Sequence, residues 1–146
     1  MVEITSIVEN SIAASLELQP GDKVLRVNGR MVRDFLDVLV AENLEDVELV
    51  VEKADGEVWQ LDIEKERDQP FGFELEHPDP VHCGNNCMFC FVHQLPKGMR
   101  RSLYIKDEDY RFSYLYGAYI TLTNLTDNDY DRIVEQRLSP LYISVH

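Results

Sequence analysis

The sequence predicts an α+β domain followed by the start of an α/β domain that is cut short. Three observations lead there. The first seventy or so residues run strand, helix, turn, strand, helix, hairpin, with short elements punctuated by Gly, Pro, Asn and Asp. The last thirty or so run strand, helix, strand, with the spacing of a parallel unit. Between them the charge changes: residues 1–76 carry 7 basic and 19 acidic side chains, net −12, while residues 77–146 carry 7 and 8, net −1. The expected division is a first domain over 1–68, reaching 76 if its strands are permuted, a linker over 69–80, and a second domain over 81–146.

The alternation of Val2 to Val8 reads as a strand. Ser11 can cap a short helix from Ile12 to Leu16, because its hydroxyl can accept an unpaired N–H of the first turn. Gln19-Pro20-Gly21-Asp22 is a turn, Val24 to Val27 a strand, and Asn28-Gly29 the turn that ends it. Asp34 can cap a helix from Phe35 to about Glu42. Val47 to Glu52 and Val58 to Ile63 form a hairpin about Asp55-Gly56. His77-Pro78-Asp79-Pro80 cannot be helical, since each proline disfavours helix in the residue before it. Further on, Tyr110 to Leu115 reads as a short aromatic helix and Tyr119 to Thr123 as a strand. Thr126 or Asp127 caps a helix running to about Leu138, with Tyr130, Ile133, Val134 and Leu138 on one face. Leu141 to Val145 is the last strand.

The chemistry is concentrated in Cys83-Gly84-Asn85-Asn86-Cys87-Met88-Phe89-Cys90, which holds all three cysteines of the chain in the pattern C-x3-C-x2-C. Thiolates are soft ligands suited to iron–sulfur clusters and zinc. Three on one loop match three corners of a [4Fe–4S] cube and leave one iron without a protein thiolate. A Cys3His zinc site completed by His82 or His93 uses the same residues. A disulfide fits poorly, because the count is odd and the intervening loops are very short.

The cysteine spacing, with Phe89 at the aromatic position, resembles the signature of the radical S-adenosylmethionine (SAM) superfamily. The resemblance implies a [4Fe–4S] cluster on Cys83, Cys87 and Cys90, with SAM chelated by its open iron and reductively cleaved to a 5′-deoxyadenosyl radical. It implies that Phe89 packs against the cluster, and that Thr123, Asn124 and Ser144 approach SAM at the carboxyl ends of two strands, the second end running from Ser144 to His146. Thr123-Asn124 stands where the superfamily carries Gly-Gly-Glu. Pro96 and Gly98 break the helix that usually follows the cysteines, so an ordered loop is expected there, with Lys97, Arg100 and Arg101 bringing positive charge.

The first domain resembles a PDZ domain. Val8 to Ala13, Leu18 to Gly29 and Asp55-Gly56 carry the likeness. The carboxylate-binding Φ-G-Φ turn does not precede Val2. A similar string, Pro70-Phe71-Gly72-Phe73, follows the hairpin instead, as in a circularly permuted arrangement. That would set a peptide groove between Phe71 to Glu74 and the helix from Phe35, or leave a module that only braces its neighbour. The run from Gln94 to Arg111 is similar to bacterial proteins that join such a domain to a radical SAM-like core of unassigned substrate.

The expected function is therefore that of a radical SAM-type Fe–S oxidoreductase with a docking domain. Its partners would be an unknown substrate, an external electron donor and a peptide or protein at the PDZ-like unit. A zinc-braced peptide adaptor and an electron-transfer protein that does not use SAM are the rivals. A partial barrel needs further strand–helix units, so the chain is expected to be the N-terminal portion of a longer enzyme. A net charge of −13 argues against broad nucleic-acid binding. No apolar run has the length of a membrane span, and Met1 to Thr5 lack the basic start and apolar run of a signal peptide. Cysteines grouped for metal fit a cytoplasmic, reducing compartment.

Overall fold

A computed structural model of the chain describes residues 1–145. The chain divides into two compact units, Met1–Pro78 and Asp79–His146.

In the first unit, period-two alternation decides which face of each strand is buried. Strand β4 (Asp46–Glu52) buries Val47, Leu49 and Val51 and turns Glu48, Val50 and Glu52 outward. It pairs residue for residue with β5 (Val58–Glu64) across the Asp55-Gly56 turn. Strands β1 (Val2–Ile7) and β2 (Lys23–Val27) join them, with the short β3 (Arg30–Met31) beside β2. The sheet is antiparallel in the order β5-β4-β2-β1-β6, where β6 (Phe73–Leu75) is the edge strand. Phe73 to Leu75 thus belong to the first unit's sheet. Ile7 faces Phe73 and Ile4 faces Leu75, with a register shift between. The strand that follows the hairpin in sequence thus closes on β1.

Helices α1 (Ile12–Ser15) and α2 (Phe35–Ala41) start where their caps predict. Ser11 Oγ accepts the Ala14 N–H at 3.2 Å, and Asp34 Oδ1 accepts the Leu36 N–H at 3.1 Å. Leu36, Val38 and Phe35 pack into the core with Ile4, Val24 and Phe71. Asp22, fully buried, ties the Gln19 turn to the hairpin: its carboxylate accepts from Gln19 N, Ala54 N and Lys53 Nζ.

The second unit has little regular structure before residue 110. A 3-10 turn spans Arg101–Tyr104, then helix α3 (Tyr110–Tyr116) begins on Asp109 and ends on Gly117 in the left-handed region. Strands β7 (Tyr119–Ile120) and β8 (Tyr142–Ile143) pair in parallel, with α4 (Asp127–Glu135) between them in sequence. Two expectations change here. The strand expected to reach Thr123 stops at Ile120: the Thr121 N–H goes to Glu108 Oε1, and Leu122 has φ +63°. Helix α4 does not bury the expected stripe. Tyr130 and Val134 are exposed, Ile133 is half-buried, and Leu138 is buried. The helix turns Arg132 inward instead, where Nη1 donates to the Tyr110 hydroxyl at 3.2 Å and Nε to Gln136 Oε1 at 3.1 Å. Its start is firm: Thr126 and Asp129 form a reciprocal capping box.

Candidate functional site

The cysteine loop lies in the second unit and is held at both flanks. Upstream, residues 81–83 run antiparallel to 106–108. Cys83 N donates to Lys106 O at 2.6 Å, Glu108 N donates to Val81 O at 2.8 Å, and His82 pairs with Asp107. Buried Asp109 closes this corner, accepting from Val81 N, Arg111 N and the Arg111 guanidinium. Burial alone would push the Asp109 carboxyl up. The bonds from Arg111 and Val81, with the Arg111 charge, outweigh it and hold the group below the usual range. Downstream, Cys90 N donates to Cys87 O at 3.1 Å and Gln94 N to Cys90 O at 3.2 Å. The stretch holding Pro96 and Gly98 is an ordered loop: the Tyr104 hydroxyl donates to Pro96 O and accepts from Met99 N.

The loop's interior is fastened to the end of β7. Asn85 Nδ2 donates to Thr123 Oγ1 at 2.6 Å, and Thr123 and Thr121 hydroxyls lie 2.8 Å apart. Thr121 Oγ1 donates to Glu108 Oε1 at 2.8 Å. Asn124 Nδ2 donates to His82 O at 2.8 Å, and Lys106 Nζ donates to Asn85 O at 2.6 Å.

Cys83, Cys87 and Cys90 are free, half-buried thiols, and all three line one cavity of about 630 Å³. Phe89, Phe91 and Val92 give it apolar walls; Lys106, Glu108 and Ser144 are among its polar lining. Of the residues expected near a cofactor, Phe89 and Ser144 line this cavity with the cysteines. Thr123 and Asn124 do not; their side chains are engaged with Asn85 and the His82 carbonyl. His146 lies outside the described residues. Lys97, Arg100 and Arg101 are exposed and do not line the cavity, whereas Lys106 does. Sequence reading passed over Lys106, Asn85 and Glu108. A lone Lys and a lone Asn carry no signal in sequence, and the acidic run Asp107-Glu108-Asp109 looks like a solvated surface, although Glu108 and Asp109 are buried.

The thiols do not converge on one point. Among the described residues, no three His, Cys, Asp or Glu side chains are gathered as ligands of a single metal ion. His82 and His93 are both exposed. Also among the described residues, no helix is long and apolar enough to cross a membrane.

Comparison with known proteins adds two matches. A family model described as a PDZ domain matches residues 3–53, the part of the first unit from β1 to just past β4. A family model described as a Radical SAM-like domain matches residues 65–146, starting ahead of β6 and taking in the whole second unit. No curated protein matches the chain. With more than half its length under the second match and all three cysteines inside it, the chain belongs to the Radical SAM-like domain family, joined to a PDZ-type unit.

Proposed function

We propose that this chain supplies the cluster-binding loop of a radical SAM-type Fe–S oxidoreductase working in a reducing, cytoplasmic setting. Cys83, Cys87 and Cys90 would hold a [4Fe–4S] cluster whose fourth iron is left for SAM. One observation carries the reading: the three thiols, spread over one loop, all open onto one cavity with apolar walls. A cluster takes one thiolate on each of its irons, and three cysteines of one loop opening onto one cavity offer that donor set. When bound, the cluster would supply one electron to the sulfonium of SAM.

The protein's own contribution is positioning and exclusion. Phe89, Phe91 and Val92 line the cavity beside the thiols and would give a bound cluster an apolar wall. Lys106 places a cation on the cavity wall, where it would offset the negative charge of a bound cluster. Ser144 is at the cavity at the end of β8, the side on which parallel strands present ligands. Thr123 and Asn124 act one step back, as anchors of the cysteine loop. The substrate and electron donor would come from outside this chain, and a completed partial barrel would need further strand–helix units.

Anaerobic reconstitution of the 146-residue protein with iron and sulfide tests the reading. The expected product is brown, carries about four irons per chain, and loses colour in each of Cys83→Ala, Cys87→Ala and Cys90→Ala. A colourless protein with one zinc, or alanine variants that keep the parent's iron and sulfide, would overturn it. If the cluster forms but yields no 5′-deoxyadenosine from SAM on dithionite reduction of a longer protein, the electron-transfer reading replaces it.

A further inference from the structure

Glu108 has one carboxylate oxygen fully engaged and one left over. The residue is only 3% exposed, and it lines the cavity onto which the three thiols open. Oε1 accepts twice from Thr121, from its N–H and from its hydroxyl at 2.8 Å. Thr121 stands one residue past β7, so the end of that strand fixes the direction of the carboxylate. Oε2 has no hydrogen-bond or ion-pair partner among the described residues. No fully enclosed side-chain oxygen or nitrogen among them lacks a partner. Oε2 is therefore reached from open space, and the open space at this residue is the cavity.

A carboxylate taken this far out of water is costly unless a donor meets it, above all a cationic one. The described residues do not supply that cation. Lys106, on the same cavity, donates its ammonium to Asn85 O at 2.6 Å and forms no ion pair with Glu108. The Arg111 guanidinium is held by Asp109. A metal ion fits less well. Asp107 is the one other carboxylate on the cavity wall, and no three His, Cys, Asp or Glu side chains are gathered for an ion among the described residues, whereas hard cations want six or so oxygens. An ammonium needs fewer partners. It bonds a single carboxylate oxygen well, and charge-assisted bonds of this kind are about twice as strong as neutral ones. Val92, Ala118 and Tyr119 on the cavity wall suit an alkyl chain that carries it.

We propose that Glu108 Oε2 receives a primary ammonium group, so that the substrate admitted to this cavity is an alkylamine or carries one on an alkyl arm. Thr121 is the positioning residue for that carboxylate. That the occupant is a substrate rests on the radical SAM reading; the ammonium site itself rests on Glu108 and the cavity. SAM also carries an ammonium group, and competition between the two separates them.

The test uses the full 146-residue protein, labelled with ¹⁵N, and two probes: n-butylammonium chloride and its uncharged match, n-butanol. The Thr121 amide, bonded to Glu108 Oε1, is the reporter. The parent should bind the ammonium at least about tenfold more tightly than the alcohol, the margin of a charge-assisted over a neutral bond, and the Thr121 amide should shift as it binds. Glu108→Gln keeps an acceptor for Thr121 but removes the charge. It should lose at least about tenfold in ammonium affinity and leave that for the alcohol unchanged. Equal binding of the two probes by the parent, no ammonium binding, a Thr121 amide that stays still, or equal ammonium affinity in Glu108→Gln would overturn the proposal. The comparison of probes is read in the parent, so it decides even if Glu108→Gln fails to fold. On protein reconstituted with iron and sulfide, saturation-transfer signals of the butyl protons should persist when SAM is added; their displacement by SAM would overturn the assignment to a substrate. A protein that carries the cluster but ignores the ammonium loses this site and keeps the radical SAM reading. One that takes the ammonium on Glu108 but forms no cluster keeps the site and loses that reading.

Discussion

Asp109 shows how much can rest on one side chain in a unit with little regular structure. Fully buried, it caps α3, holds Val81 N–H beside the cysteine loop and pairs with Arg111 at 2.5 Å. Its carboxyl lies below the ordinary range, so the folded state binds that proton less readily than the unfolded chain does. Its stabilisation is therefore complete above about pH 4 and is lost as pH falls through the lower, folded value. Asp109→Asn should cost on the order of 3 kcal/mol at pH 7. It should also flatten the acid limb of the stability curve; an unchanged acid limb in denaturant titrations would refute this account. Gly72 is as demanding for steric reasons. Gly72→Ala combines a left-handed φ with a collision against Ser11 and should lower stability by about 2 kcal/mol or more. A variant that melts with the parent would show that the turn relaxes. Neither residue announces its role in the sequence. Asp109 sits in an acidic run that looks like surface, and the string Phe71-Gly72-Phe73 marks a turn without showing that Ser11 is packed against its glycine.

At the level of elements, the cysteine loop is held by β7 and by the segment through Lys106 as well as by its own Cys90–Cys87 backbone bond. Asn85 is the joint: its side chain reaches Thr123 and its carbonyl accepts from Lys106. Asn85→Ala should leave secondary structure intact and loosen the loop, so that all three half-buried thiols react with iodoacetamide about tenfold faster, the rate ratio of an opening made roughly 1.4 kcal/mol easier. Unchanged alkylation rates would mean that the loop holds itself. The elements themselves were largely legible where a local rule governs them. Ser11, Asp34 and Thr126 cap the helices they were expected to cap, alternation located β1, and the Asp55-Gly56 turn placed the β4–β5 hairpin. The failures have tertiary causes. A buried glutamate takes the N–H that would have continued β7, and a buried arginine turns α4 away from its apolar stripe. The cysteine spacing pointed to the cavity, but not to the lysine on its wall, because Lys106 arrives there through the pairing of 106–108 with 81–83.

For the whole molecule, the uneven charge has a measurable effect. The first unit carries a net charge near −12, which repels itself in the compact state. Raising salt from about 0.05 to 0.5 M should screen that repulsion and raise the unfolding midpoint of this unit. The buried Asp22–Lys53 pair, 2.6 Å apart, is largely shielded from salt and should not reverse the trend. A midpoint that falls with salt would mean that surface ion pairs outweigh the net repulsion. The pairing of β6 with β1 has a practical consequence for anyone dissecting this chain. The family match starts at residue 65, so a cut made there would carry Phe71 and β6 away with the wrong piece. The remnant would show an open seam along Ile4 and an empty socket where a phenylalanine ring belonged, and such seams stick to one another. Severed after Pro78 instead, the same remnant keeps its seam closed and should stay monodisperse in sedimentation.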